Sequence, residues 1–191
     1  KETTKNCSSL NHQIMERIHS FKSVTYILSG SLLYIYNTLA GSWTSGFAAI
    51  FGFVLFIKGL DMLKAGLDET GKSGVNLIRI AAIIGVIASC VDLFPLTGWL
   101  AGLGFMAAFI LELIGFNRLK NSTSIGMVGK EGASRLAAAM IVSTIGAMVT
   151  MFPYFGNIAA AIFAFAAMYL VFSGWLKIQD GIMGENLALA N

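Results

Sequence analysis

Apolar runs of membrane-spanning length, separated by short basic connectors, constrain this chain more than any other feature. One run from Phe47 ends in Gly-Phe-Val-Leu-Phe-Ile-Lys-Gly-Leu (52 to 60), and a charged connector leads to a second that closes on Asp-Leu-Phe-Pro (92 to 95). The pattern returns at once: residues 99 to 116 are apolar, Asn117 to Arg135 polar and basic, and Leu136 to Pro153 apolar. A bilayer core of about 30 Å needs about 20 predominantly apolar residues in a helix; the second run is long enough, and the first is if it starts near Trp43. Of the 191 residues, 56% are hydrophobic and 12% charged, with a mean hydropathy of +0.74, whereas soluble domains carry about 25% charged residues. The expected fold is an all-α, polytopic membrane helix bundle of about six transmembrane helices, built as repeated helical hairpins.

Read in order, residues 1–22 form a polar segment in which Leu10, Ile14, Ile18 and Phe21 recur at the spacing of a short interfacial helix. His12 and His19 read as solvated side chains of that helix. A transmembrane domain over 23–177 follows, divided into hairpins at about 23–67, 75–120 and 134–177, and then a polar tail over 178–191. The spans run 24–40, 47–60, 75–93, 99–116, 136–151 and 158–176. The weak break at 41–46 leaves two readings of 24–60: two helices joined by a tight turn, or one kinked helix.

A displacement of 58 residues brings Ala81, Phe94, Pro95 and Gly98 onto Ala139, Phe152, Pro153 and Gly156. Gly59, Gly115 and Gly174 mark similar helix exits, and a repeat of 56 to 59 residues accounts for both observations. Small residues every fourth position, Ala81, Gly85 and Ser89 in one unit and Ala139, Ser143 and Ala147 in the next, are expected to form packing seams, facing either the chain's own bundle or a neighbouring protomer.

All 13 Lys and Arg lie in connectors, tails or helix ends. By the positive-inside rule that side is cytoplasmic, both termini face it, and the net charge of +3 reports orientation rather than contact with nucleic acid. Cys7 and Cys90 read as free thiols. The Asn-X-Ser/Thr matches at Asn6 and Asn121 fall on the cytoplasmic side and read as chance, and Asp92 reads as an interfacial, solvated acid.

The chain is read as lacking enzyme signatures, a phosphate loop included, and no span holds a histidine; no catalytic residue, cofactor or metal is expected. Glu112, about one turn inside the cytoplasmic end of span four, is the one costly acid; an intramembrane ion pair with Lys58, at nearly the same depth in span two, or simple snorkelling is the structural reading, with a transport role as the alternative. The expected partners are membrane lipid and further membrane subunits, either copies of this chain or other proteins.

The run from Gly52 to Leu60, then Leu63-Lys64, Gly71-Lys72 and Ile84-Gly85-Val86-Ile87-Ala88, resembles the helix, basic loop and helix unit of the TraQ/DotE (IcmC) inner-membrane proteins. That resemblance covers about 50 residues, with an echo at 109 to 153. It implies a non-enzymatic component of a conjugation or type IVB secretion apparatus in the bacterial inner membrane, or a pilin-like, self-assembling subunit. Three hairpins, a Phe-Pro at the outer turn and a glycine near each second helix's exit also resemble the HdeD-like acid-resistance membrane proteins. This second resemblance implies a stress-associated envelope protein.

Overall fold

The computed structural model describes residues 21–31, 43–92, 94, 96–150, 152 and 156–188. The expected N-terminal interfacial helix, Cys7, His12, His19, Asn6 and the far half of the first span lie outside these. Every described element is helical. In order they are α1 (21–31), α2 (Trp43–Leu63), a 3-10 turn (Lys64–Gly66), α3 (Glu69–Asp92), α4 (Gly98–Lys120), α5 (Gly126–Val149) and α6 (Gly156–Ala188). Among the described residues, Glu69–Asp92, Gly98–Lys120, Gly126–Val149 and Ile158–Gly184 are long and apolar enough to cross a membrane. The chain is thus a multi-pass membrane protein by the length and composition of its helices.

The helices pair as antiparallel hairpins at glycine contacts. A Cβ built on Gly74 of α3 would lie 2.7 Å from the carbonyl oxygen of Gly115, and one on Gly115 would lie 2.7 Å from Cγ1 of Ile78. In α5 and α6 the same contact joins Gly132 to Gly174, at 2.5 Å from its carbonyl oxygen. Helices this close exchange dispersion contacts along their backbones, the main attraction left between helices in lipid. Gly30 of α1 meets Gly52 and Phe56 of α2, while Gly59 meets Ser23 and Ile27. Residues rising along α1 meet residues falling along α2, so the chain reverses between them, which excludes a single kinked helix over 24–60.

Corresponding positions are buried in each hairpin. Gly71, Gly74, Val75, Ile78, Ala81 and Ala88 of α3 match Gly129, Gly132, Ala133, Leu136, Ala139 and Gly146 of α5, each 58 residues on. In the second helices, Gly52, Gly59, Leu60 and Leu63 of α2 answer to Ala108, Gly115, Phe116 and Leu119 of α4, and to Ala167, Gly174, Trp175 and Ile178 of α6; all twelve are buried. Large buried side chains gather toward the charged connectors, where Leu60, Ile78, Phe116, Leu119, Ile125, Leu136, Trp175 and Ile178 form one core. The Trp175 ring meets Phe56 and Phe116 edge-on, with centroids 6.5 and 6.3 Å apart. Toward the opposite end the buried residues are small, and the close contacts are internal to a hairpin, as at Gly104 on Ala88 and Gly146 on Phe163.

The structure bears on two of these expectations. The buried stripe of α3 keeps Ala81 but leaves Gly85 partly open and Ser89 exposed; that of α5 keeps Ala139 and leaves Ser143 and Ala147 exposed. A step of four residues turns about 40° beyond a full circle, so two steps leave the face, whereas a step of seven falls about 20° short and stays on it. Ala81 and Ala88, like Ala139 and Gly146, keep the sevenfold step. Secondly, of the expected polar tail over 178–191, residues 178–188 belong to a helix: α6 continues to Ala188, and Ile178, Gln179, Gly181 and Ile182 are buried. Gly181 packs directly on the Ile125 carbonyl oxygen and the Gly129 backbone.

Candidate functional site

The most elaborate polar arrangement is at the connector end. Asp68 follows the 3-10 turn and directly precedes α3, the position at which an Asp side chain takes up the free amides of a helix start. Its Oδ1 accepts from the Gly71 amide at 2.8 Å and the Ser122 hydroxyl at 2.6 Å; its Oδ2 accepts from the Thr123 amide at 2.9 Å and the Thr123 hydroxyl at 2.8 Å. The Asp68 amide donates to Ser124 Oγ at 3.0 Å. One carboxylate therefore caps α3 and ties the connector after α4 to it. Burial alone would raise the Asp68 carboxyl, but the hydrogen bonds from Ser122, the Thr123 backbone, the Gly71 backbone and the Thr123 hydroxyl outweigh it and hold the group well below the usual carboxylate range. That connector ends on Gly126, whose φ of 56° is a left-handed conformation that a side chain would strain.

This arrangement also corrects the reading that no phosphate loop is present. Gly66-Leu-Asp-Glu-Thr-Gly-Lys-Ser73 spells the phosphate-loop pattern, a glycine, four residues, then Gly-Lys-Ser. Its physical context is wrong for a phosphate: the run follows a helix rather than a strand, and the Asp68 carboxylate already takes the Gly71 amide in the first turn of α3. Lys72 pairs with Glu69 at 3.0 Å, and the Ser73 hydroxyl accepts from Arg118.

Polar contacts cross between neighbouring helices at this end. Arg79 of α3 pairs with Asp61 of α2 at 2.9 Å, and Lys64 donates to Asn76. Glu131 of α5 takes both Arg135, at 2.9 Å, and Lys177 of α6. Gln179 is buried there with no hydrogen bond among the described residues.

The expected ion pair is not formed. Lys58 is exposed, and its ammonium stands 5.2 Å from the centroid of the Tyr26 ring on α1, a cation–π contact. Glu112 is half-buried and enters no ion pair or hydrogen bond among the described residues. The trough beside Lys58 is lined by Phe53, Val54, Ile57, Lys58, Asp61 and Met62. All belong to α2, so it is the surface of one helix rather than a chamber. At the far end Asp92 and Cys90 are exposed, and Thr97 fastens the turn by donating to the Val91 carbonyl at 2.7 Å. Among the described residues no cluster of three or more His, Cys, Asp or Glu side chains could hold a metal ion.

No protein-family model matches this chain, and neither a curated protein nor a solved structure matches it significantly.

The role of Asp68 had a partial signal in the sequence, an Asp one residue before a helix start with Gly three residues on. Its partners Ser122 to Ser124 lie more than 50 residues away and had none.

Proposed function

We propose that this chain is a non-enzymatic, integral inner-membrane component of a conjugation- or secretion-type translocation apparatus, a subunit that works by assembling laterally with other membrane helices. The observation that carries this reading is the surface of the spans. Only 17% to 28% of each spanning window is buried within the chain, and Ile83, Ile87, Leu103, Phe105, Ile110, Ile141, Ile145, Ile162 and Phe165 face outward. The hairpins thus offer lipid and neighbouring subunits most of the side-chain area of their spans, while the large buried side chains gather at the connector end. The resemblance of the stretch from Gly52 to Ala88 to the TraQ/DotE proteins supplies the apparatus, and positive-inside charge supplies cytoplasmic termini.

Mild-detergent extraction followed by affinity recovery of the full chain tests this reading. Co-recovery of secretion or conjugation proteins in fixed ratio is the expected result; a chain that returns alone and monomeric overturns it. An HdeD-like stress protein is the second reading, favoured by the correspondence of buried positions across the three hairpins. It expects survival at low pH to fall on deletion, with no loss of transfer or secretion.

A further inference from the structure

The inward stripes of α2, α4 and α6 carry apolar side chains at matching positions, with one exception. Phe56 of α2 and Val171 of α6 pack against the core, and the residue of α4 that corresponds to them is Glu112. It lies four residues from Ala108 and Phe116, three from Gly115 and seven from Leu119, all buried, and so within about 60° of each around the helix. The acid therefore shares the core-facing stripe rather than the lipid face opposite it.

Among the described residues, depth and surroundings leave this carboxyl without a counter-charge. The apolar run continues beyond it to Phe116, and the first polar side chain of α4 on that side is Asn117, five residues or about 7.5 Å along the axis. On α3, Glu69 pairs with Lys72 and Arg79 with Asp61, while Cys90 and Asp92 stand at the far end. On α5, Glu131 holds Arg135 and Lys177, and Lys130 lies near the helix start. On α4 itself Arg118 donates to Ser73, and Lys120 is exposed. Lys58 of α2 is over Tyr26. An ionised carboxylate in hydrocarbon without a partner is costly, and a proton removes the charge.

We infer that Glu112 is a proton-binding site of the bundle, a carboxyl that takes up and releases a proton within the membrane. A metal cation would need several oxygen ligands, and the stripe around Glu112 offers Ala108, Gly115, Phe116 and Leu119. This inference is independent of the proposed assembly.

Dicyclohexylcarbodiimide, an apolar reagent for protonated carboxyls in apolar surroundings, tests it on the purified full chain in liposomes, with peptide mapping by mass spectrometry. The expected result is one adduct, at Glu112. Labelling should fall about tenfold per pH unit above its midpoint as the protonated fraction falls, persist in Glu112→Asp and vanish in Glu112→Gln. It should be unchanged when sodium chloride replaces potassium chloride. Absence of an adduct on the wild type, equal labelling of Asp61 or Glu131, or protection by sodium overturns the proposal. The wild-type result decides even if Glu112→Gln fails to fold.

Discussion

Gly74 and Gly85 lie on the same helix, three turns apart, and are expected to respond in opposite ways to the same added methyl group. At Gly74 the new Cβ would fall 2.7 Å from the Gly115 carbonyl oxygen and 2.9 Å from the Leu119 amide nitrogen; backbone cannot rotate aside, so the hairpin must part. Gly74→Ala should lose about 1 to 3 kcal/mol. At Gly85 nothing lies within 4 Å, and Gly85→Ala should be neutral or gain up to about 1 kcal/mol from helix propensity. Thermal loss of monodispersity in detergent measures both. Asp68 provides a second test. Its folded-state carboxyl is held low, so its contribution to stability is complete above the ordinary aspartate range near pH 4 and is lost as pH falls from there toward the folded value. Asp68→Ala should remove about 1 to 2 kcal/mol for the cap alone at neutral pH, and should flatten that part of the acid unfolding profile. Little of this was legible beforehand. Small residues in α3 and α5 were visible in the sequence, but which of them touch within the chain depends on the 100° step of the helix, and an interval of four leaves the intrachain contact face after Ala81 and Ala139.

The helices were easier to read than their ends. Apolar runs located α4 to within four residues, because a span declares itself by composition, but α3 begins six and α5 ten residues before its apolar run, and α4 and α6 continue past Asn117 and Lys177, where polar residues suggested stops. In α6 the continuation matters to packing. Ile178 and Ile182 are buried, and Gly181 lies against the backbone at Ile125 and Gly129, so the last turns cover the start of α5. A chain ended after Lys177 should therefore unfold at a lower temperature in detergent and yield less monodisperse protein. A dispensable polar tail would leave both unchanged. Gly181→Val should reproduce much of the loss without shortening the chain.

On the scale of the whole molecule, the basic residues among those described are gathered at one end and the exposed apolar belt occupies most of the rest. Cys90, exposed on α3 two residues before Asp92, lies at the end away from the connectors. If the connectors face the cytoplasm, an impermeant maleimide should label Cys90 in intact cells, and a Cys7→Ser background isolates that signal. Labelling of Cys90 only after permeabilisation would reverse the orientation. The hairpin plan was readable from runs and connectors. The meeting of Leu60, Phe116 and Trp175 was not, since these residues are 56 or more positions apart and each looks like any other apolar residue of a span. The glycine contacts also bear on how the chain is made. Each joins two helices adjacent in sequence, such as Gly74 to Gly115 across a short turn, and so can form as soon as the second helix leaves the ribosome. The shared core at the connector end needs all three pairs present, so it closes last, and an interrupted chain would leave behind paired helices rather than a partial core.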